Sequence, residues 1–426
     1  MRRIIPVASG KGGVGKTTFA VNFALGLARS APTILVDLDT GTSSVRSVLN
    51  VPIERDLYHF KRQQIPLAQC ITSLDEAHDP RREFKNFGFI ASPKHFIEDL
   101  ANPTPEFRRR LALEIGQLPA EYVVLDLRAG LDPNVIDFLP FTNSGVLVFT
   151  PHHPAATASA ADLVKAILFR SLRILFAKDS PFYQRDGMAR YERFVHDLLD
   201  RVEDVYDPEL PNLDAFVQQL EEAFGRHPIL EVITEMLESF RVHYVLNMFN
   251  GVEQSFHSAI KPMVETLAST VSSRLNLTQL GWVVQDDQVY ESNRSGYPIL
   301  LDRPIKAAPA KAAPTPDRVA AQLEELESSF LGLKRAAPAR RAPTVQAAPR
   351  SAPQADDVLS GQLDSLRVMF NDRRKDTPKD NFLYMVYRAL HLMGSHMAPT
   401  EFGETSIATP EQLQRWFLRR QLEGQF

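Results

Sequence analysis

Ten residues near the start of the chain, Ser9-Gly10-Lys11-Gly12-Gly13-Val14-Gly15-Lys16-Thr17-Thr18, restrict the fold more than any other stretch. They follow the apolar run Ile4-Ile5-Pro6-Val7-Ala8 and lead into Phe19 to Arg29, which reads as a helix. A buried strand, a glycine turn and a helix make the setting that a phosphate-binding loop needs. The glycines let the backbone from Gly10 to Thr18, Val14 included, curl so that successive N–H groups point inward at phosphate oxygens. The helix N-terminus adds its partial positive charge. In this Gly-x-x-x-x-Gly-Lys-Thr spacing Lys16 is placed to reach the β- and γ-phosphates and the Thr17 hydroxyl to ligate Mg²⁺.

Two further apolar runs end in acid. Thr33-Ile34-Leu35-Val36-Asp37-Leu38-Asp39 reads as a buried parallel strand, and ligands of such sheets sit outside the carboxyl ends of the strands. Asp37 is a candidate to hold a Mg²⁺-bound water, and Asp39 to orient the water that attacks the γ-phosphate. From spacing alone, an Asp-rich turn before Gly41 is the other reading. Tyr122-Val123-Val124-Leu125-Asp126 has the Walker B pattern, which puts Asp126 close to the metal. Gly145 to Pro151 is a further strand, and Phe87 to Pro93 another. The adjacent His152 and His153 lack partners at metal-ligand spacing and read as loop residues facing solvent.

Lys11 is a second lysine that an ordinary phosphate loop does not need. The run Lys11 to Thr18 resembles the deviant Walker A loop of the MinD/ParA family of ATPases, nearest to its MinD and FlhG branch. The resemblance implies a P-loop α/β fold with a mostly parallel sheet flanked by helices, ATP and Mg²⁺ as ligands, and slow, partner-stimulated hydrolysis. It implies a homodimer formed with ATP, in which Lys11 reaches the partner's phosphates. It also implies Asp39 as the catalytic residue of a first switch and Asp126-x-x-Ala129-Gly130 as a second. Asn247, at the end of the strand Val242 to Asn247, corresponds to an adenine contact, and Asp286 to a further base contact. The chain departs from the family at Arg128 and Val284, where relatives have proline.

The resemblance runs over residues 1–303, interrupted by an insertion at about 177–240. Helical periods at Tyr191-Phe194-Val195-Leu198-Leu199 and Phe216-Leu220-Phe224 predict a helical hairpin or small subdomain over the nucleotide site, as a partner platform or a decoration. Ala-Pro clusters mark residues 304–356 as a semi-rigid linker carrying one amphipathic helix at about 316–334. With Lys334, Arg335, Arg340 and Arg341 beside it, that helix suits peripheral contact with an anionic membrane. Glu324, Glu325 and Glu327 on its polar face favour docking on a protein instead. Residues 357–426 read as a small helical module, with helices at Val358 to Phe370, after Thr377-Pro378, and after Thr409-Pro410. The insertion and this module are the expected contacts for an unidentified protein partner.

The 426 residues, with 44% hydrophobic and 23% charged content, match an ordinary globular protein. A net charge of −4 argues against a DNA-partitioning role. One cysteine, Cys70, excludes an internal disulfide and disfavours a metal-cluster carrier. Met1 leads straight into the first strand, which predicts a cytoplasmic protein, peripheral to the inner face of the membrane if the 316–334 helix binds lipid. The functional expectation is an ATP-driven dimerisation switch that controls placement or assembly of a cellular structure of the flagellum, pilus or division kind. The alternatives are a partitioning ATPase and a scaffold whose ATP site is structural.

Overall fold

The computed structural model describes residues 3–40, 44–132, 145–178, 180, 183, 187–204, 209–225, 227–301 and 355–395. The amphipathic segment 316–334 and the segment after Thr409 lie outside these residues. The strands are β1 (Arg3–Ala8), β2 (Thr33–Asp37), β3 (Thr72–Ser73), β4 (Phe87–Ile90), β5 (Tyr122–Asp126), β6 (Val146–Phe149), β7 (Arg241–Phe249) and β8 (Asn276–Val284). They form one sheet in the order β3-β4-β2-β5-β1-β6-β7-β8. Every pairing is parallel except that of β3 with β4. The unbroken apolar runs of β2 and β5 are those of strands covered on both faces.

Pro6 stands in a central strand, where a missing N–H is normally costly. Leu127 N donates to Val7 O on the β5 side, so the Pro6 main chain faces β6 instead. β6 pairs with β1 only from Val7 and Ala8 onward, so no ladder bond is lost at Pro6.

One face of the sheet carries α1 (Lys16–Ala28), α2 (Ser44–Leu49) and α12 (Asp287–Ser295). The other carries α3 (Leu57–Arg62), α5 (Pro105–Gln117), α6 (Pro154–Leu175) and α11 (Lys261–Thr270), with α4 (Glu98–Ala101) and α10 (Val252–Ser255) as single turns. α1 is buried nearly all round, from Thr18 to Ala28. That fits its even hydrophobicity, since a helix with no polar face belongs in the interior.

The insertion departs from its expected place. Its helices α7 (Glu192–Glu203), α8 (Leu213–Phe224) and α9 (Pro228–Ser239) join the apolar core under α6. α6 begins just past the carboxyl end of β6, and its 22 residues carry the chain roughly 33 Å down the sheet. There Arg173 pairs with Asp200 at 2.9 Å and with Glu203. At the start of α8, Leu213 N donates to Val271 O at 2.7 Å, and Asp214 accepts from Ser273 N at 2.7 Å and from the Ser272 hydroxyl at 2.6 Å. Residues 271–273 lead into the first residue of β8, at the end of the sheet opposite the glycine loop. The insertion therefore sits far from the nucleotide loop rather than over it, because α6 is long enough to deliver it to the other end.

The C-terminal segment also differs from expectation. α13 (Ala355–Asp372) and α14 (Pro378–Ser395) belong to the same compact unit as the sheet. α13 packs on α11 and α10 with Leu366 and Met369, while α14 lays Phe382, Met385, Val386 and Ala389 on α1 and β8. The pair straddles the edge strand and bonds to its main chain. Gln362 Nε2 donates to Leu277 O at 2.8 Å, Arg388 Nε donates to Gln279 O at 2.8 Å, and Val284 N donates to Asn381 Oδ1 at 3.2 Å. A sheet edge left bare invites further strands, and these three side chains occupy it. Val386 comes so close to α1 that a Cβ on Gly26 would lie 2.5 Å from Val386 Cγ2. Seventy residues alone make a marginal core, and burial against the sheet supplies what this segment lacks.

Cys70 is fully buried, and its Sγ donates to the Asp56 carbonyl at 3.3 Å. Burial pushes the thiol up to about 11. Alkylation by iodoacetamide at pH 8 is expected to run roughly 100-fold slower in the folded than in the urea-unfolded protein. Similar rates would show that the thiol is open to solvent.

Candidate nucleotide site

Four strand ends converge on the glycine loop. Gly15 caps α1 with φ +83°, a conformation that a side chain strains. It also leaves room for Asn247, whose Nδ2 would lie 2.0 Å from a Cβ there. Asn247 is 5% exposed, and its Nδ2 donates to Val14 O at 2.8 Å. That bond braces the loop at Val14. Asp286 caps α12 by accepting from Gln288 N at 2.7 Å.

On the loop's outer side Lys11, Gly12 and Gly13 are exposed, and nothing lies within 4 Å of a Cβ built on Gly12 or Gly13. The Ser9 hydroxyl donates to Lys11 O at 3.0 Å, which fixes the main chain while the Lys11 side chain stands in solvent. Gly10 rests against the main chain of Ser159 in the second turn of α6. Gly130 N donates to Ser9 O at 2.9 Å, joining the end of the second switch to the loop.

Lys16, Thr17 and Asp126 form the centre. Lys16 Nζ lies 2.5 Å from Asp126 Oδ1, and the Thr17 hydroxyl donates to Asp126 Oδ2 at 2.7 Å. The lysine is 6% exposed and the aspartate 0%. Asp37 is the register partner of Asp126 on the adjacent strand, so the two carboxylates share one end of the sheet. Asp37 is buried too. Its carboxylate accepts from Asp39 N at 3.1 Å and from Ser92 N at 3.4 Å, which folds the chain after β2 into an Asx turn. Asp39, half-buried, leaves that turn one step beyond the strand. Thr18 is tied to α12, since Asn293 Nδ2 donates to its hydroxyl at 2.9 Å.

The structure thus gathers Lys16, Thr17, Asp37, Asp39 and Asp126 at the loop, leaves Lys11 facing outward, and gives Asn247 and Asp286 supporting bonds. His152 and His153 are exposed, and His152 Nε2 lies 2.9 Å from Met248 O. Sequence reasoning missed Ser92 and Asn293. Ser92 carried a signal, because it follows the strand run Phe87 to Ala91 directly, at the end of the sheet where ligands bind. Asn293 carried none.

Comparison with known proteins follows the same residues. The model of the CobQ/CobB/MinD/ParA nucleotide binding domain matches residues 5–299. A putative septum site-determining protein MinD from Chlorella vulgaris is 31% identical over 203 residues, 47% of this chain and 69% of that protein. The septum site-determining protein MinD of Escherichia coli (strain K12) is 26% identical over 192 residues, 45% of this chain and 68% of that protein. The solved structure of the septum site-determining protein MinD complexed with Mg-ADP from Pyrococcus horikoshii OT3 aligns over 70% of this chain and 88% of its own, at 15% identity and a TM-score of 0.40. With its loop and its two acidic strand ends inside the matched span, the chain belongs to the CobQ/CobB/MinD/ParA nucleotide-binding family.

Proposed function

We propose that this protein is a Mg²⁺-dependent ATPase that dimerises with ATP and, by hydrolysing it to ADP and phosphate, releases a bound partner and so controls placement or assembly of a cellular structure. The observation that carries this reading is the Lys16–Asp126–Thr17 triad with Asp37 in register beside it. A hydroxyl and two buried carboxylates beside a glycine loop are the oxygen donors that suit Mg²⁺ near a phosphate chain. Thr17 would hold the ion directly, and Asp37 and Asp126 would hold its waters. When bound, the ion neutralises charge on the β- and γ-oxygens.

The rest falls to the chain. Lys16 exchanges its bond to Asp126 for one to the β- and γ-phosphates, while the N–H groups from Gly12 to Thr18 hold the remaining oxygens. The Asx turn at Asp37 fixes the Asp39 main chain, so that its carboxylate orients the attacking water and accepts its proton as the γ-phosphoryl leaves ADP. Lys11, exposed at the loop tip, is free to reach a second copy's phosphates. The bound partner is a protein that contacts the insertion or the C-terminal module 357–426. The cytoplasm, with peripheral membrane contact through 316–334, is the proposed location.

Asp39→Ala protein with ATP is expected to scatter light with twice the monomer mass and to turn over at least about 100-fold slower than wild type. A monomer discards the dimer. Wild-type turnover that survives removal of divalent ions by EDTA discards the metal.

A further inference from the structure

Asp39 follows β2 by two residues, and the first helix after it, α2, is tied back to the strand ends. Arg46, in the middle of that helix, reaches back to the strand ends. Its Nε donates to Ser92 O at 2.8 Å, and its Nη2 pairs with the Asp56 carboxylate. The arginine side chain is 20% exposed and the aspartate 10%, so the pair is largely out of solvent. Neither anchor is loose. Asp56 caps α3 by accepting from Tyr58 N at 3.0 Å, and it holds His59 Nδ1 at 2.9 Å. Leu57 N donates to Ala91 O at 3.1 Å, binding α3 to the chain just before Ser92. Ser92 in turn grips Asp37 twice, its hydroxyl donating to Asp37 O at 2.9 Å and its N–H to the Asp37 carboxylate at 3.4 Å.

The chain thus leaves the sheet at Asp37, passes Asp39, and is fastened seven residues later to the residue that grips Asp37. We propose that Arg46 is a positioning residue for Asp39: by holding Ser92 against Asp56 and α3 it fixes the residue that grips Asp37, and the Asx turn at Asp37 in turn sets where Asp39 stands. This rests on the reading of Asp39 as the water-orienting residue. A planar guanidinium suits the task because it donates along two directions at once, which an ammonium on a flexible stem does not. Displacing a reacting group by an ångström from outside the chemistry lowers turnover strongly while leaving ground-state binding alone.

The test uses the full chain with Arg46→Gln and Arg46→Ala; the Gln variant keeps length and a donor should the Ala variant fail to fold. In both, kcat for ATP is expected to fall at least about 10-fold with KM within about 2-fold, and amides at 38–40 and 44–46 to exchange at least about 5-fold faster while those of β5 do not change. Added to Asp39→Ala, either substitution is expected to cost nothing further. A kcat within about 2-fold of wild type, a loss that multiplies with that of Asp39→Ala, or unchanged exchange at 38–40 and 44–46 overturns the proposal. If wild-type protein turns over no ATP, the hydrolase reading fails on its own and takes the role of Asp39 with it. The exchange result still reports separately whether Arg46 restrains the loop.

Discussion

A chain ended at residue 354 is expected to be recovered in the insoluble fraction. Leu366, Met369, Phe382, Met385, Val386, Ala389 and Leu392 are all buried against the sheet and its helices. At about 1.5–3 kcal/mol for each large side chain, their burial contributes on the order of 10 kcal/mol before ordering costs, comparable with the whole net stability of a typical domain. Their removal would also bare β8 and the outer face of α1. A point substitution tests the same packing more gently. In Gly26→Val the new side chain meets Val386, and such overpacking costs about 1–3 kcal/mol, or roughly 2–6 °C in Tm. If the 354-residue protein is soluble and melts like the full chain, these helices are ornaments and the fold described above is wrong on that edge.

Lys16→Ala is expected to weaken ATP binding at least about 10-fold, since a charged hydrogen bond to phosphate is lost. The less obvious effect falls on the nucleotide-free protein. Asp126 is fully buried, and without Lys16 its carboxylate keeps the Thr17 hydroxyl as the partner within this triad. Breaking a buried pair from one side costs about 3–5 kcal/mol, because the remaining charge is stranded. Nucleotide-free Lys16→Ala should therefore melt well below wild type, and Lys16→Ala/Asp126→Ala should regain much of the loss. A double variant as unstable as the sum of the two single ones would show that the lysine and the carboxylate are not coupled.

How much of this was legible depended on the range of the interaction. The phosphate loop is a local device, ten consecutive residues between a strand and a helix, and its parts stand where the spacing puts them. Asp37 and Asp126 were legible for a related reason. A strand that ends in acid places that acid at the end of a parallel sheet, and register does the rest. The helix start at Thr377-Pro378 was equally local, and Asp380 N donates to the Thr377 hydroxyl at 3.3 Å. Asn247 was harder, because strand-end position says where a side chain begins and not which carbonyl it meets. The destination of a helix was not legible at all. The periods at Phe216-Leu220-Phe224 and Leu366-Met369 show that these helices have an apolar face, but periodicity carries no address. Only the length of α6 decided that the insertion lies at the far end of the sheet. Only a long-range contact, that of Gln362 with Leu277 across 85 residues, decided that α13 belongs to β8.

The covering of β8 has a consequence in time as well as space. A ribosome releases the strand about a hundred residues before α14, and at about 5–20 residues per second that gap lasts roughly 5–20 s. During it the sheet has its last strand but not its lid. The Leu277, Gln279 and Val284 main chains then lack the side chains that later hold them. Early in its life, then, this protein is an open-edged sheet awaiting its own C-terminal half-turn of synthesis. Slower elongation between residues 285 and 380 lengthens the exposure without altering a single contact in the finished molecule.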